Sequence, residues 1–353
     1  MTVIIKAKKY ILQIIKKPII IVPVVLVSVF LYFAYIFFAP NIFPSTEEKS
    51  FLFVPDNSSF DNVIDSLNQN AKVLNIASFK QVASVLKYGK VIRPGRYELK
   101  SGMNNFKLIR ALRSGRQSPV KLTFNNIRTK EQLAARLSHI IMADSASILN
   151  LLNDNDFLMA YGLNSNTSIS LFIPDTYEVF WDLDANELFA RMKKEHDTFW
   201  TEERKSKAAE IPLTPTEVST LASIVEEETN SKKERPMVAG LYINRLKLDM
   251  PLQADPTLKF AVGDFGLKRI LLAHILKISP YNTYRNRGLP PGPIRVASAN
   301  GIDAVLNYSK HNYIYMCAKE TLNGEHNFAV SYSDHQNNAQ KYQKALNDRK
   351  IFK

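Results

Sequence analysis

The sequence predicts an α+β protein with a single N-terminal transmembrane helix. Two patterns support this fold class: an uncharged apolar stretch near the N-terminus, and a recurring unit made of a strand, a polar turn and a short amphipathic helix. The chain has 353 residues, of which 46% are hydrophobic. That length is enough for roughly two or three domains with real hydrophobic cores.

The apolar stretch carries no charge from residue 18 to residue 46. A helix of about 20 such residues crosses a bilayer, whereas the apolar part of a signal peptide has only about 7 to 15 residues. Residues 18–40 are therefore predicted to be a transmembrane helix. Residues 1–17 contain five lysines and no acidic residue. By the positive-inside rule this basic tail stays in the cytoplasm, and the body of the chain lies on the other side.

The formal net charge is +13, and roughly +8 remains for the body once the five lysines of the tail are removed. A basic body suits an anionic polymer as a partner. Nucleic acid is not expected, because no helix-turn-helix, zinc-knuckle or aromatic-basic pattern is present. Cys317 is the only cysteine, which excludes an intrachain disulfide, and its apolar flanks suggest a buried strand thiol. Neither a cofactor nor a metal site is expected.

The strand and helix units define the expected domains. After a short polar linker at 41–50, residues 51–120 form a first α/β module, and residues 121–353 form a mixed α/β region. In the module, Pro94-Gly95-Arg96-Tyr97, Gly102 and Gly115 resemble a LysM-like pattern, whose families bind glycans that contain N-acetylglucosamine. Most βα units with a Pro-Gly turn bind nothing, so the pattern alone is a weak signal.

The second region contains a helix whose start can be placed accurately. Thr214 is predicted to cap it, Pro215 to occupy the first helical position and Glu217 to close a capping box. At 100° per residue, Leu221 and Val225 lie at the centre of an apolar face. The helix then ends in three glutamates.

The helical register makes these glutamates unequal. Glu226 is predicted at one edge of the apolar face, Glu228 at the opposite edge and Glu227 on the solvated side. A carboxyl at the edge of a buried face loses hydration, which raises its pKa and suits it to act as a general acid near neutral pH. Glu226 and Glu228 are thus the candidate acids, although a run of glutamates is most often an ordinary charged helix end.

Two stiff, polar loops are expected to follow a second apolar helix at 238–246. They suit a groove for a sugar chain. The first is Met250–Thr257, and the second comprises residues 281–284 and 288–294.

At this point the sequence resembles the endolytic murein transglycosylases, the YceG-like family. The resemblance covers most of the body and rests on five motifs in the family's order: Leu221-Ala-Ser-Ile-Val-Glu-Xaa-Glu-Thr229, Asn244-Arg-Leu246, Leu252-Gln-Xaa-Asp-Pro-Thr257, Tyr281-Asn-Thr-Tyr284 and Gly288-Leu-Pro-Pro-Gly-Xaa-Ile294.

The resemblance implies an enzyme that cleaves the β-1,4 bond between N-acetylmuramic acid and N-acetylglucosamine within glycan strands and leaves 1,6-anhydromuramic ends. It implies a body outside the inner (plasma) membrane and association with penicillin-binding proteins. The first glutamate of the motif, Glu226, is expected to be catalytic. The expected substrate contacts are Glu228, Gln253, Asp255, Asn282, Thr283, Tyr284 and His326. The family's Phe-Asn after this histidine reads Phe328-Ala329 here, so any role of that asparagine is absent or displaced.

Other functions remain open at this stage. A non-catalytic peptidoglycan-binding scaffold would use the same groove, and a hydrolytic muramidase would need a second carboxylate, for which Asp255 or Glu228 is the only neighbour. Ser84-Val-Leu-Lys87 matches the Ser-Xaa-Xaa-Lys of penicillin-binding proteins, but Lys-Thr-Gly and Ser-Asp-Asn are missing. No pair of histidines has the spacing of zinc ligands.

Overall fold

The computed structural model describes residues 18–46, 49–267 and 269–349, so the expected cytoplasmic tail at 1–17 lies outside the described residues. The chain divides into two compact units. Unit 1 comprises Met1–Val120 with Val179–Asp182, and unit 2 comprises Lys121–Glu178 with Leu183–Lys353. Both mix helices and strands, in agreement with the expected fold class.

The apolar stretch forms helix α1, Pro18–Phe38. Its residues Ile21–Phe38 make a segment long and apolar enough to cross a membrane. At 1.5 Å per residue the 21-residue helix is about 32 Å long, close to the thickness of a hydrocarbon core of about 30 Å. This agrees with a single-pass anchor.

Unit 1 continues from α1 with small sheets and short helices. β2 pairs with β4 in antiparallel register, with Leu52 opposite Tyr97, and both side chains are buried. A second, three-stranded sheet has the order β3-β1-β5. The elements are β1 Pro40–Pro44, β2 Ser50–Val54, α2 Phe60–Asn70, β3 Ala71–Val73, α3 Ile76–Val85, β4 Gly95–Leu99, β5 Met103–Asn104 and α4 Asn105–Ser114.

The expected linker at 41–50 differs from the structure, because β1 occupies its first residues. Asn41 is buried, and its side chain joins three elements. Its side-chain nitrogen donates to the side-chain oxygen of Asn105 at 2.6 Å. Its side-chain oxygen accepts a hydrogen bond from the backbone amide of Asn75 at 2.7 Å. Asn105 in turn donates to the backbone carbonyl of Ile36 at 2.8 Å. The chain therefore enters unit 1 directly from the end of α1.

Unit 2 contains the remaining elements. Two strand pairs, β6–β7 and β8–β9, accompany a helical core. The elements are β6 Val120–Thr123, α5 Lys130–Ser138, α6 Ser145–Asn153, α7 Asn155–Met159, β7 Thr176–Val179, α8 Ala185–Phe199, α9 Glu202–Glu210, α10 Pro215–Glu228, α11 Arg235–Lys247, α12 Asp255–Val262, α13 Leu272–Ile275, α14 Ala299–Leu306, β8 Tyr315–Ala318, β9 His326–Ala329 and α15 Tyr332–Asp348.

Helix α10 lies at the centre of unit 2, packed against α9, α11, α12 and α14. Its start confirms the sequence-based prediction, with Thr214 as N-cap, Pro215 in the first turn and a capping box closed by Glu217. The expectation of a single apolar face is wrong. Every residue from Val218 to Glu226 is buried, because neighbouring helices cover the polar side as well.

The capping box gives a direct test of this helix start. Replacing Thr214 with Ala removes the acceptor for the Glu217 amide and should lower the free energy of unfolding of unit 2 by about 1 kcal/mol. In a Trp181→Phe background, fluorescence of the buried Trp200 in the same core reports urea unfolding. Thr216→Ala, in the same turn, is the matched control. Equal destabilisation by the two variants would contradict the capping role.

Candidate active site

The three glutamates at the end of α10 have three different environments. Glu226 is the most buried, with 3% of its side chain exposed. Its carboxylate accepts hydrogen bonds from the Arg235 guanidinium at 2.9 Å, from the Ser298 backbone amide at 2.9 Å and from the Ser298 hydroxyl. Gly301 packs against it so closely that an added Cβ would lie 2.6 Å from the carboxyl carbon.

These contacts satisfy both oxygens of Glu226 and close the space around it. The donors come from Arg235 on α11 and from Ser298, the N-cap of α14. These contacts join α10, α11 and α14 through a buried ion pair, and the catalytic role expected of Glu226 stays a prediction.

The expectation that Glu227 is a solvated bystander is wrong. Only 16% of its side chain is exposed, and it bridges two arginines. Arg295 contacts one carboxylate oxygen at 2.7 Å, and Arg128 contacts the other at 3.0 Å. The helical wheel placed Glu227 opposite the apolar face, but arginines distant in sequence cover that side.

Glu228 faces a cavity, which has a volume of about 310 Å³. The Tyr242 hydroxyl donates to its carboxylate at 2.6 Å. Loss of hydration raises the pKa of Glu228 from 4.5 to about 7, and the nearby charge of Asp255 acts in the same direction. The hydrogen bond from Tyr242 and the charges of Lys259 and Arg245 oppose this rise. Glu228 thus has the environment expected of a general acid.

The cavity brings together several of the expected substrate contacts. It is lined mainly by polar and aromatic side chains from α10, α11, the loop before α12, β8 and the start of α15. Its polar side chains include Glu228, Tyr242, Arg245, Gln253, Asp255, Tyr284, Tyr315, Cys317, His326, Tyr332 and His335. Hydroxyl, amide, carboxyl and imidazole groups beside aromatic rings are suited to the hydroxyl groups and ring faces of a sugar.

The loop before α12 shapes one wall of this cavity. Gln253 adopts a left-handed conformation with φ of 52°, which is uncommon for a residue with a side chain, and its amide donates to the Thr283 carbonyl at 3.0 Å. Asp255 was expected in a loop but begins α12, and it accepts a 2.5 Å hydrogen bond from the Tyr284 hydroxyl. Both side chains remain available at the cavity surface.

His326 is oriented by a buried carboxylate. The oxygens of Glu234 accept hydrogen bonds from the His326 amide at 2.7 Å and from the Thr229 hydroxyl at 2.9 Å. His326 Nδ1 lies 2.9 Å from the same carboxylate. A proton on Nδ1 satisfies this contact, which leaves Nε2 as an acceptor.

Asn282 and Thr283 do not line the cavity, contrary to expectation. Both are buried, with 0% and 1% exposure. Asn282 donates to the carbonyls of Ile275 and Lys277, and its oxygen accepts from the Tyr284 amide. The Thr283 hydroxyl contacts Thr257 at 2.8 Å. These two residues support the loops that carry Gln253 and Tyr284.

The sequence analysis missed three residues that the site depends on. Tyr242 contacts the candidate acid, Glu234 holds His326, and Arg245 lines the cavity while donating to the carbonyls of Ile314 and Leu252. An arginine and a tyrosine within the apolar run 238–246 were a detectable signal, because such groups are buried only with partners. Within the described ranges, no cluster of three or more histidine, cysteine, aspartate or glutamate residues is arranged to hold a metal.

Comparison with known proteins shows the family of the chain. Residues 52–341 match the YceG-like family. The endolytic murein transglycosylase of Bacillus subtilis is 29% identical over 313 residues, which cover 84% of this chain and 85% of the relative. The endolytic murein transglycosylase of Streptococcus pneumoniae D39 is 33% identical over 187 residues, covering 52% of this chain and 30% of that longer protein.

A crystal structure of a YceG-like protein from Listeria monocytogenes has a similar fold. Its TM-score is 0.54 at 26% sequence identity, and the match covers 83% of this chain and 99% of the Listeria chain. The family match spans well over half of the sequence and includes every element around the cavity. The chain therefore belongs to the YceG-like family.

Proposed function

We propose that the chain is a membrane-anchored endolytic lytic transglycosylase that cleaves the bond between N-acetylmuramic acid and N-acetylglucosamine within peptidoglycan strands. The curated relatives named endolytic murein transglycosylase support this activity. The single observation that carries the mechanism is Glu228, a carboxyl with a pKa of about 7 at the wall of a polar cavity. Glu228 is accordingly our proposed acid, and Glu226, the first glutamate of the motif, is the alternative acid that the same assay tests.

The reaction needs one carboxyl that first donates and then accepts a proton. Protonated Glu228 donates to the glycosidic oxygen as its bond to C1 breaks and positive charge develops on the sugar ring. The C6 hydroxyl of the muramic residue then attacks C1 and gives its proton to the Glu228 carboxylate. The products are a free 4-hydroxyl and a 1,6-anhydro end, with no water consumed and Glu228 protonated again.

The other polar residues of the cavity bind and orient the sugars. Gln253, Asp255, Tyr284 and His326 are the proposed contacts, with His326 Nε2 as an acceptor for a sugar hydroxyl. Asp255 lines the same cavity as Glu228, which is the observation favouring the second candidate function, a hydrolytic muramidase with paired carboxylates. The products of hydrolysis would be heavier by one water.

The remaining expectations concern location and partners. The apolar length of α1 supports an anchor in the plasma membrane. The five lysines of residues 1–17 support an N-terminus in the cytoplasm and residues 41–353 outside. The strand and helix unit at 51–120 supports a LysM-like module that contacts glycan. Termination of nascent strands, together with penicillin-binding proteins, is the proposed physiological setting.

Glu228→Gln should abolish release of anhydro-ended fragments from purified sacculi, with a rate loss of about 10²- to 10⁴-fold and little loss of stability. Glu226→Gln breaks a buried ion pair and should instead lower the free energy of unfolding by about 3–5 kcal/mol. Mass spectrometry of the products measures activity, and urea unfolding measures stability.

Asp255→Asn is the matched control for the carboxylate pair. Loss of all activity in this variant, with reducing-end products from the unsubstituted chain, would favour the muramidase. A folded Glu226→Gln protein without activity, beside an active Glu228→Gln protein, would restore Glu226 as the acid.

The pH dependence tests the same assignment. Glu228 must be protonated to act as the acid. We therefore expect kcat/KM to be constant below about pH 7 and to fall roughly tenfold per pH unit above it. Tyr242→Phe removes a hydrogen bond that favours the charged form of Glu228, so the pKa of Glu228 rises. The pH above which kcat/KM falls should therefore be higher in this variant. Fragment release at low substrate, from about pH 5 to about pH 9, gives both profiles. If kcat/KM of Tyr242→Phe begins to fall at the same pH as that of the unsubstituted chain, the role of Glu228 is contradicted.

Glu234→Gln should lower kcat/KM by roughly five- to a hundredfold, because His326 loses the partner that fixes its Nδ1 proton. The same fragment assay is applied to Glu234→Gln, His326→Ala and the double variant. If Glu234 acts through His326, the double variant loses no more activity than His326→Ala alone. Additive losses would mean that Glu234 acts separately from His326.

A further inference from the structure

The exported part of the chain has an uneven charge distribution. Residues 71–120 contain eleven lysines and arginines but one acidic residue, Glu98, whereas residues 121–353 contain 29 basic and 27 acidic residues. Among the described residues of 71–120, Lys100 is the only basic residue that forms an ion pair. Its ammonium lies 3.5 Å from the carboxylate of Glu98. The positive charge of the body is therefore concentrated in residues 71–120, whereas residues 41–70 contain five acidic residues and one lysine.

The end of the membrane helix is packed into this basic part. Ile36 is buried in the core of unit 1, and Tyr32 donates to the side chain of Gln81 on α3 at 2.8 Å. The Phe106 ring of α4 lies 6.3 Å from the Phe37 ring and 5.6 Å from the Phe38 ring. The last two turns of α1 thus lie against α3 and α4.

The contacts of α1 set the depth of these helices. Tyr32 precedes the end of α1 by six residues, or about 9 Å along the axis, and already contacts α3. The part of α1 that lipid can surround therefore ends near Tyr32. If α1 crosses the membrane up to that point, α3 and the start of α4 lie next to the lipid headgroups.

The surface of this region suits that level. Leu74 and Val85, at the two ends of α3, are 58% and 55% exposed. Lys80 and Lys87 are exposed close to them. Apolar side chains mixed with lysines are typical of segments in the membrane interface, where the stems lie along apolar groups and the charges meet phosphates.

A cavity of about 400 Å³ lies beside the same helix end. It is lined by Leu86, Phe106, Arg110, Arg113 and Ser114. The Arg110 guanidinium lies 6.0 Å from the centre of the Phe106 ring, which itself contacts the end of α1. The cavity thus combines two exposed guanidiniums and the Ser114 hydroxyl with the apolar side chains of Leu86 and Phe106, close to the proposed bilayer.

We propose that this cavity binds the headgroup of an anionic phospholipid. Arg110 and Arg113 would donate hydrogen bonds to the lipid phosphate, which a planar guanidinium fits well, and Leu86 and Phe106 would contact the lipid below the headgroup. An anionic lipid is favoured over a zwitterionic one because the latter carries a cation that the surrounding lysines and arginines repel. The proposal rests on the proposed membrane anchor, but it is independent of catalysis.

The test uses the full chain, purified in mild detergent from bilayers of equal phosphatidylglycerol and phosphatidylcholine. Native mass spectrometry counts the lipids that stay bound. Phosphatidylglycerol should be enriched, and Arg110→Gln/Arg113→Gln should reduce its affinity by roughly fivefold for each arginine removed. Lys341→Gln/Lys344→Gln removes two exposed cations at the same spacing on α15 and should leave the enrichment unchanged.

Three results would overturn the proposal. Equal retention of the two lipids would exclude a headgroup site while leaving the anchor intact. Loss of sacculus binding in Arg110→Gln/Arg113→Gln with unchanged lipid enrichment would assign the cavity to glycan instead. Release of the unsubstituted chain from membranes by alkaline carbonate would remove the anchor and, with it, the headgroup site.

Discussion

The burial of α10 on every side is the constraint on which the site depends. A helix that ends inside a packed core brings its terminal carboxylates into contact with protein, and each buried charge needs a partner. Glu226 is held by Arg235 and Ser298, and Glu227 by two other arginines. Glu228 accepts a hydrogen bond from the Tyr242 hydroxyl, and loss of hydration raises its pKa to about 7.

Local signals in the sequence predicted the elements well. The Thr214 cap placed α10 in the correct register, because capping depends on a few neighbouring residues. The apolar helix expected at 238–246 was also located, since apolar periodicity is a local pattern. The long apolar helix α1 followed from length and composition alone.

The candidate site was harder to predict, because a helical wheel gives a direction and no partner. Ser298 lies 72 residues from Glu226, and Arg128 lies 99 residues from Glu227. Nothing local indicates that these residues meet. Asn282 and Thr283 lie in a polar loop motif, which suggested contacts with sugar. In the structure their side chains form hydrogen bonds within the protein and hold neighbouring loops.

The passage from α1 into β1 leaves only Ala39 between helix and strand. Asn105 joins them by binding the Ile36 carbonyl and the Asn41 side chain at once. Helix α1 is thus joined to the rest of unit 1 without slack, so a rotation of α1 about its own axis must turn the small sheets of unit 1 with it.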